Sequence, residues 1–253
     1  MTSQTDKALL LRSLHVPHDP LILYNIWDAG SAKTVAQAGA KAIATGSWSV
    51  AAAQGYGDGE ELPLDEALAI VQRIVQSVDL PVTVDFEGGY AADPDRLGQN
   101  IRKLLALGVV GLNLEDQVVN GTGLYSIADQ VARLRAVRAA ADALGIAAVI
   151  NARTDLFLQA PARDHASLLD SALEREAAFA TAGADGFFVP GLTDKALIGR
   201  LCEKATLPVN VMMPVDPAAS ADIAALGVAR ISLGPNPYRE MISTLDRQAR
   251  GFF

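Results

Sequence analysis

The chain has 253 residues, half of them hydrophobic and a fifth charged, which suits one α/β domain with a large core. Its net charge of −8 argues against a general nucleic-acid binder, which needs a basic face. The single cysteine, Cys202, and three scattered histidines, His15, His18 and His165, leave no disulfide framework and no cysteine- or histidine-rich zinc site. The N-terminal stretch MTSQTDKALLLRSLH carries polar and acidic residues around a short apolar run. It reads as a helix over about 5–15, not as a signal peptide or a membrane span, and the expected setting is a reducing cytoplasm. No nucleic-acid or membrane partner is expected.

From there short apolar runs alternate with helical patterns. The candidate strands are LILYNIWD (21–28), AIATGS (42–47), VTVDFE (82–87), GLNLED (111–116), AVINAR (148–153), GFFVPG (186–191), VNVMM (209–213) and RISLG (230–234). Each is apolar nearly throughout, as strands of a parallel sheet covered on both faces are. Between them, 65–78 gathers Ala67, Val71, Ile74, Val75 and Val78 on one helical face, and 94–107 does the same with Leu97, Ile101, Leu104 and Leu105. Asp93-Pro94 supplies an N-cap acceptor and a proline at the first helical position, and Ser126 with Asp129 resembles a capping box. Gly39, Gly108, Gly145, Gly183 and Gly227 each end a helical run where a left-handed cap is needed, and Pro81 and Pro208 stop two more. Eight such units predict a single-domain (β/α)8 barrel over about 21–253, with the N-terminal helix leaning on it. The alternative, a doubly wound sheet, calls for a G-x-G-x-x-G loop after strand 1, and DAGSAKT lacks that spacing.

In a barrel the chemistry lies at the C-terminal ends of the strands. The acids there are Asp28, Asp85, Glu87, Glu115 and Asp116, with Asp58 in the loop after strand 2, and Arg153 ends strand 5. Asp85 and Glu87 are two apart and are expected to face the same side, with Glu115 one strand over. Three carboxylates this close call for a cation or a proton between them, and hard oxygen ligands suit Mg2+ or Mn2+. The competing reading is that they cap helices or pair with arginines. Arg153 can grip a substrate carboxylate with two prongs or form a structural pair with Asp155. The run TGSWSV (45–50) can hold a carboxylate through backbone N–H groups or be a plain loop. Cys202 is expected to pack inside a helix, His165 to lie on the surface, and His15 and His18 to sit at the N-terminal end of the barrel.

The segments NIWDAGSAKTVAQAGAKAIATGS, GYGDG, PVTVDFEGGY, GLNLEDQ, NARTDLFL, GADGFFVPGL and PVNV together resemble the isocitrate lyase and phosphoenolpyruvate mutase superfamily, over about residues 22–235. The resemblance implies a barrel that holds Mg2+ (or Mn2+) and a small 2-oxo acid. It implies Asp85 as the direct metal ligand, with Glu87 and Glu115 holding metal-bound water and Asp58 close by. Thr45, Gly46 and Ser47 would line the site of the substrate carboxylate. Trp48, where the loop after strand 2 differs from the family, would crowd the substrate's far end or pack under the lid. Arg153 would touch the substrate and stabilise developing negative charge. Asn210 joins Tyr24 and Tyr125 as a possible further polar contributor.

The departures narrow the reaction. The family's second acid is usually Asp, and here it is Glu87. The K-x-C-G-H lid of the isocitrate and methylisocitrate lyases is replaced by QVVNGTGLYS at 117–126, so their cysteine acid is absent. The longer gating loop of the mutase and phosphonopyruvate hydrolase branch is matched only by Asn120, and strand 6 ends in Val189-Pro190-Gly191. One helix, near 237–248, follows strand 8, and self-association as a dimer or tetramer is expected. The leading expectation is a metal-dependent lyase or hydrolase that cleaves a C–C bond beside a carbonyl. The alternatives are C–P chemistry on a phosphonate, or a protein that binds a 2-oxo acid without turning it over.

Overall fold

The computed structural model describes residues 3–213 and 216–253. All eight expected strands form: β1 (Leu21–Leu23), β2 (Ile43–Ala44), β3 (Val82–Asp85), β4 (Gly111–Glu115), β5 (Val149–Arg153), β6 (Gly186–Phe188), β7 (Val209–Met212) and β8 (Arg230–Ser232). They are shorter than the apolar runs that announce them, because all but the β5 run continue into the loop at their C-terminal end. The strands pair in parallel in the order β1-β8-β7-β6-β5-β4-β3-β2. The last seam, between β1 and β2, closes through one bridge, where Ile26 N donates to Ala44 O and Gly46 N to Ile26 O. The fold is therefore a (β/α)8 barrel.

The strands alternate more sharply than their composition suggests. Leu112, Leu114, Ile150, Ala152, Phe187, Val211 and Ile231 belong to the main core between sheet and helices. The residues between them, Asn113, Glu115, Asn151, Arg153, Asn210, Arg230 and Ser232, are polar and point into the barrel, as period-2 geometry requires. Outside, α4 (Leu64–Ser77) buries Ala67, Ile70, Val71 and Ile74, and α5 (Pro94–Ala106) buries Leu97, Ile101, Leu104 and Leu105. Each large aliphatic chain so buried contributes about 1.5–3 kcal/mol before entropy is counted. The caps are those the sequence predicts. Asp93 accepts from Arg96 N at 2.8 Å, Ser126 from Asp129 N at 3.1 Å, and Gly39, Gly108, Gly145, Gly183 and Gly227 all adopt positive φ.

The N-terminal end of the barrel is plugged by α1 (Gln4–Ser13), which starts in a Ser3–Asp6 capping box. Its Ala8 and Leu11 form a second small core with Leu21, Leu23, Ala42, Ala44, Val110 and Val149. His15 follows the plug, and its Nδ1 donates to Leu11 O at 2.8 Å. His165 corrects the sequence expectation. It opens α7 (His165–Thr181) as a buried residue, edge-on to Phe157 at 5.1 Å and with Nε2 3.1 Å from Ala160 O. A histidine at a helix start resembles a surface residue in sequence, but the β5 loop folds Phe157 back over it. Among the described residues no helix is long and apolar enough to cross a membrane.

Candidate active site

A cavity of about 160 Å³ opens at the C-terminal end of the barrel. Its wall includes Gly46, Ser47 and Trp48 after β2, Asp58 from the next loop, Asp85 at the end of β3 and Arg153 at the end of β5. These sequence-predicted residues therefore converge. The cavity is below the roughly 300 Å³ where drug-sized ligand sites begin, which favours a small ligand.

Register explains the convergence. Asp85 lies beside Asn113 and Glu115 beside Arg153 across neighbouring strands, so all four side chains point inward together. Arg153 grips Asp155 with two prongs, Nε to Oδ1 at 2.6 Å and Nη2 to Oδ2 at 2.9 Å. Its Nη1 reaches Glu115 Oε2 at 3.0 Å and Asp85 Oδ2 at 3.5 Å. The Asp155 pair and the pocket position thus coexist in one side chain. Burial would lower the Arg153 pKa, but the carboxylates of Glu115, Asp155 and Asp85 outweigh it and raise it. The Glu115 carboxyl is raised well above its usual range by burial, against the pull of Arg153.

Asp85 is held from three sides. Its N–H donates to Thr45 Oγ1 at 3.0 Å, Ser47 Oγ donates to Oδ2 at 3.0 Å, and Asn113 Nδ2 donates to Oδ1 at 3.2 Å. Ser47 opens the short helix α3 (Ser47–Ala53) with Gly46 as its N-cap, so the first amides of that helix lack an intrahelical acceptor at the cavity wall. Asp58 faces the same cavity, and its pKa is raised by loss of water and then by the Asp85 charge.

Glu87 is arranged differently from its expected alternation. β3 ends at Asp85, and Glu87 follows in a turn at φ +51°, a costly conformation for a non-glycine residue. Its Oε2 accepts from Glu60 N at 2.6 Å, and Glu60 Oε1 accepts from Tyr90 N at 2.7 Å, so the β2 and β3 loops lock together. Arg133 of α6 (Ile127–Ala143) ties the same turn down, donating to the carbonyls of Gly88, Ala91 and Ala92. Burial, then the charges of Asp58 and Asp85, push the Glu87 pKa up to about 8. Asp85, Glu87 and Glu115 do not close into a direct cage; among the described residues no group of three or more His, Cys, Asp or Glu side chains could hold a metal ion by itself.

Other predicted residues lie elsewhere. Thr45 and Asn210 are buried and do not line the main cavity; Asn210 accepts from Ser232 Oγ at 3.3 Å below its floor. Tyr24 is exposed on the outside of the barrel, and Tyr125 stacks on Arg133 with 4.3 Å between guanidinium and ring centre. Asp28 caps α2 (Ala29–Gln37) through Ser31, and Asp116 pairs with Arg175 at 3.0 Å. The 117–126 segment folds into a tight loop bridged at Gln117 and Leu124 and adds nothing to the cavity wall. Sequence reasoning missed Asn25, Asn113, Ser232 and Arg239, all on that wall. Counting back two residues from Glu115 would have found Asn113. Nothing local marks Arg239, which arrives on the helix after β8.

The model of the phosphoenolpyruvate phosphomutase family matches residues 11–253. The chain belongs to this family. As a phosphoenolpyruvate phosphomutase family member it falls in the isocitrate lyase and phosphoenolpyruvate mutase superfamily of enzymes. Among solved structures, a candidate phosphonomutase from Burkholderia cenocepacia is 45% identical, with a TM-score of 0.96 over 99% of this chain and all of that one. Among related sequences, an uncharacterised protein of Mycobacterium tuberculosis is 32% identical over 89% of this chain and 81% of its own length. The 2-methylisocitrate lyase of Escherichia coli is 28% identical over 78% of this family member and 67% of its own length.

Proposed function

We propose that the protein is a Mg2+-dependent lyase or hydrolase that cleaves a C–C bond beside the carbonyl of a small 2-oxo acid. One observation carries the reading: Asp85 sits on the cavity wall with Asp58, Glu87, Glu115 and Asp155 around it, and Arg153 is the cation that reaches into the group. Hard oxygen donors with excess negative charge fit Mg2+ or Mn2+. Burial, and then the neighbouring Asp58 and Asp85 charges, push the Glu87 pKa up to about 8. Asp85 would hold the ion directly, and Glu87 and Glu115, set behind it, would hold it through water. The ion would polarise the ketone oxygen of the substrate and stabilise negative charge there.

The chain's own groups do the rest. Ser47 and the first amides of α3 orient the substrate carboxylate. Arg153, fixed by Asp155, keeps a guanidinium edge toward the reacting carbons and favours negative charge on them. Asp58, with its raised pKa, holds the proton and delivers it to the cleaved product. Carbon–phosphorus chemistry is the second reading, favoured by the 45% identical candidate phosphonomutase. A third, a 2-oxo acid binder without turnover, is favoured by the absence of any 117–126 residue from the cavity, which leaves water poorly excluded.

The test is incubation with Mg2+ and oxaloacetate, substituted malates, 2-oxoglutarate and phosphonopyruvate, followed by NMR. Metal-dependent formation of pyruvate or another cleavage product, reduced at least about 10²-fold in Asp85→Ala, is the expected result. Turnover of phosphonopyruvate alone favours the second reading, and Mg2+-dependent binding without turnover favours the third.

A further inference from the structure

Three arginines around the site are explained by what they touch. Arg153 pairs with carboxylates, Arg133 donates to the loop carbonyls of Gly88, Ala91 and Ala92, and Arg239, in α10 (Asn236–Ala249), stands on the cavity wall over the Trp48 ring. Arg230 is different. It opens β8, is 1% exposed and does not line the cavity. Among the described residues it forms no ion pair and reaches Asn113 Oδ1 at 3.2 Å and Ser232 Oγ at 3.4 Å. Both groups have another partner: Asn151 Nδ2 donates to Asn113 Oδ1 at 2.9 Å, and Ser232 Oγ donates to Asn210 Oδ1 at 3.3 Å. A buried charge without a counter-ion is costly, so these contacts do not account for a guanidinium in this place.

Its charge lies where it matters. Asn113 accepts from Arg230 and donates through Nδ2 to Asp85 Oδ1 at 3.2 Å, so one side chain separates the guanidinium from the carboxylate assigned to the ion. Burial pulls the Arg230 pKa down to about 10, against the charge of Asp85, so the group stays protonated at neutral pH. Arg230 and Asn113 are both buried, and a field that crosses protein is stronger than one through solvent and less screened by salt. We propose that Arg230 acts on the site through its charge: from behind Asp85 it disfavours a metal ion bound alone and favours the anionic ligand that joins it, so that the site fills with the two together. This rests on the metal-dependent reading above and adds to it the order in which the site is occupied.

Two variants separate charge from contact. Arg230→Met removes both, whereas Arg230→Gln removes the charge and keeps an N–H donor for Asn113 Oδ1. Mn2+ binding is read from the paramagnetic resonance signal of the free ion, and oxalate binding by calorimetry at saturating Mn2+. Both variants are expected to bind Mn2+ at least about threefold more tightly than wild type and oxalate at least about threefold more weakly, because one charge acts on the two ligands with opposite sign at an effective dielectric of about 20. If Arg230→Met does not fold, Arg230→Gln alone carries the comparison. A role in geometry alone would weaken both ligands and would spare Arg230→Gln. Affinities that move in the same direction, or that stay unchanged in Arg230→Gln while wild type binds Mn2+, overturn the proposal and leave the metal-dependent reading standing. Failure of wild type to bind Mn2+, or binding undiminished in Asp85→Ala, removes the underlying reading and this proposal with it.

Discussion

Two layers of the barrel interior handle a buried guanidinium in opposite ways. At the C-terminal end Arg153 is surrounded by Asp155, Glu115 and Asp85, and its charge is more than matched. One layer below, Arg230 is 1% exposed, and among the described residues its hydrogen-bond partners are neutral, Asn113 Oδ1 at 3.2 Å and Ser232 Oγ at 3.4 Å. Its Nη1 makes no hydrogen bond among the described residues, and burial pulls its pKa down to about 10. The upper layer concentrates negative charge that a ligand or cation can use. The lower layer is an amide floor of Asn113, Asn151 and Asn210 that fixes geometry, and Asn113 passes it upward by accepting from Arg230 and donating to Asp85.

The largest test of this contrast is a pair of substitutions. Arg153→Met strands Glu115 and Asp155 as buried carboxylates, so a loss of about 3–5 kcal/mol in urea denaturation is expected, together with loss of activity. Arg230→Met strands no carboxylate, and Asn113 Oδ1 keeps its donor from Asn151 at 2.9 Å. Its stability should stay within about 1 kcal/mol of wild type, since a buried charge without a counter-ion is already costly. Equal losses for the two would show that the layers do not differ in kind.

A smaller effect separates the two ends by pH. The folded pKa of Glu87 is raised from 4.5 to about 8, so its stabilising contribution is complete below pH 4.5 and is lost as pH rises toward 8. His15, at the plugged end, goes the other way. Burial and then Arg230 lower its pKa from 6.5 to about 4, so its contribution is complete above pH 6.5 and is lost as pH falls toward 4. Melting temperature without metal should therefore decline on both flanks. Glu87→Gln should flatten the alkaline flank alone, and Mg2+ should flatten it in wild type. Each kcal/mol recovered corresponds to about 2–4 °C for a chain of this size. An alkaline flank unchanged by Glu87→Gln would assign the loss to other groups.

Much of the barrel is legible in sequence because its signals are local. Strands covered on both sides leave apolar runs, and helices that must turn back leave glycines such as Gly108 and Gly183 at positive φ. Asp85, Glu115 and Arg153 are legible because each ends such a run. Glu87 is legible as an acid but not in its orientation, because alternation stops where β3 stops and the chain turns at φ +51°. Asn113 and Asn151 hide inside runs that read as hydrophobic. Arg239 becomes a cavity residue only when β8 closes against β1 and carries α10 to the rim, a consequence of closure that no local pattern records.

The smallest expected effect concerns Ser47, which joins the two roles of the upper layer. A serine hydroxyl has one proton to donate, and here it goes to Asp85 Oδ2 at 3.0 Å. When that carboxylate is engaged elsewhere, the proton is free for the substrate carboxylate beside the first amides of α3. Ser47→Ala should then cost about 0.5–1.5 kcal/mol in oxalate binding measured with Mg2+ present, roughly two- to tenfold in Kd. Melting temperature should stay near that of wild type, because Asp85 keeps Asn113 and its own N–H keeps Thr45. If instead Ser47→Ala lowers the melting temperature by several degrees and leaves oxalate affinity untouched, the hydroxyl serves the fold, and the carboxylate of the substrate is held by backbone amides alone.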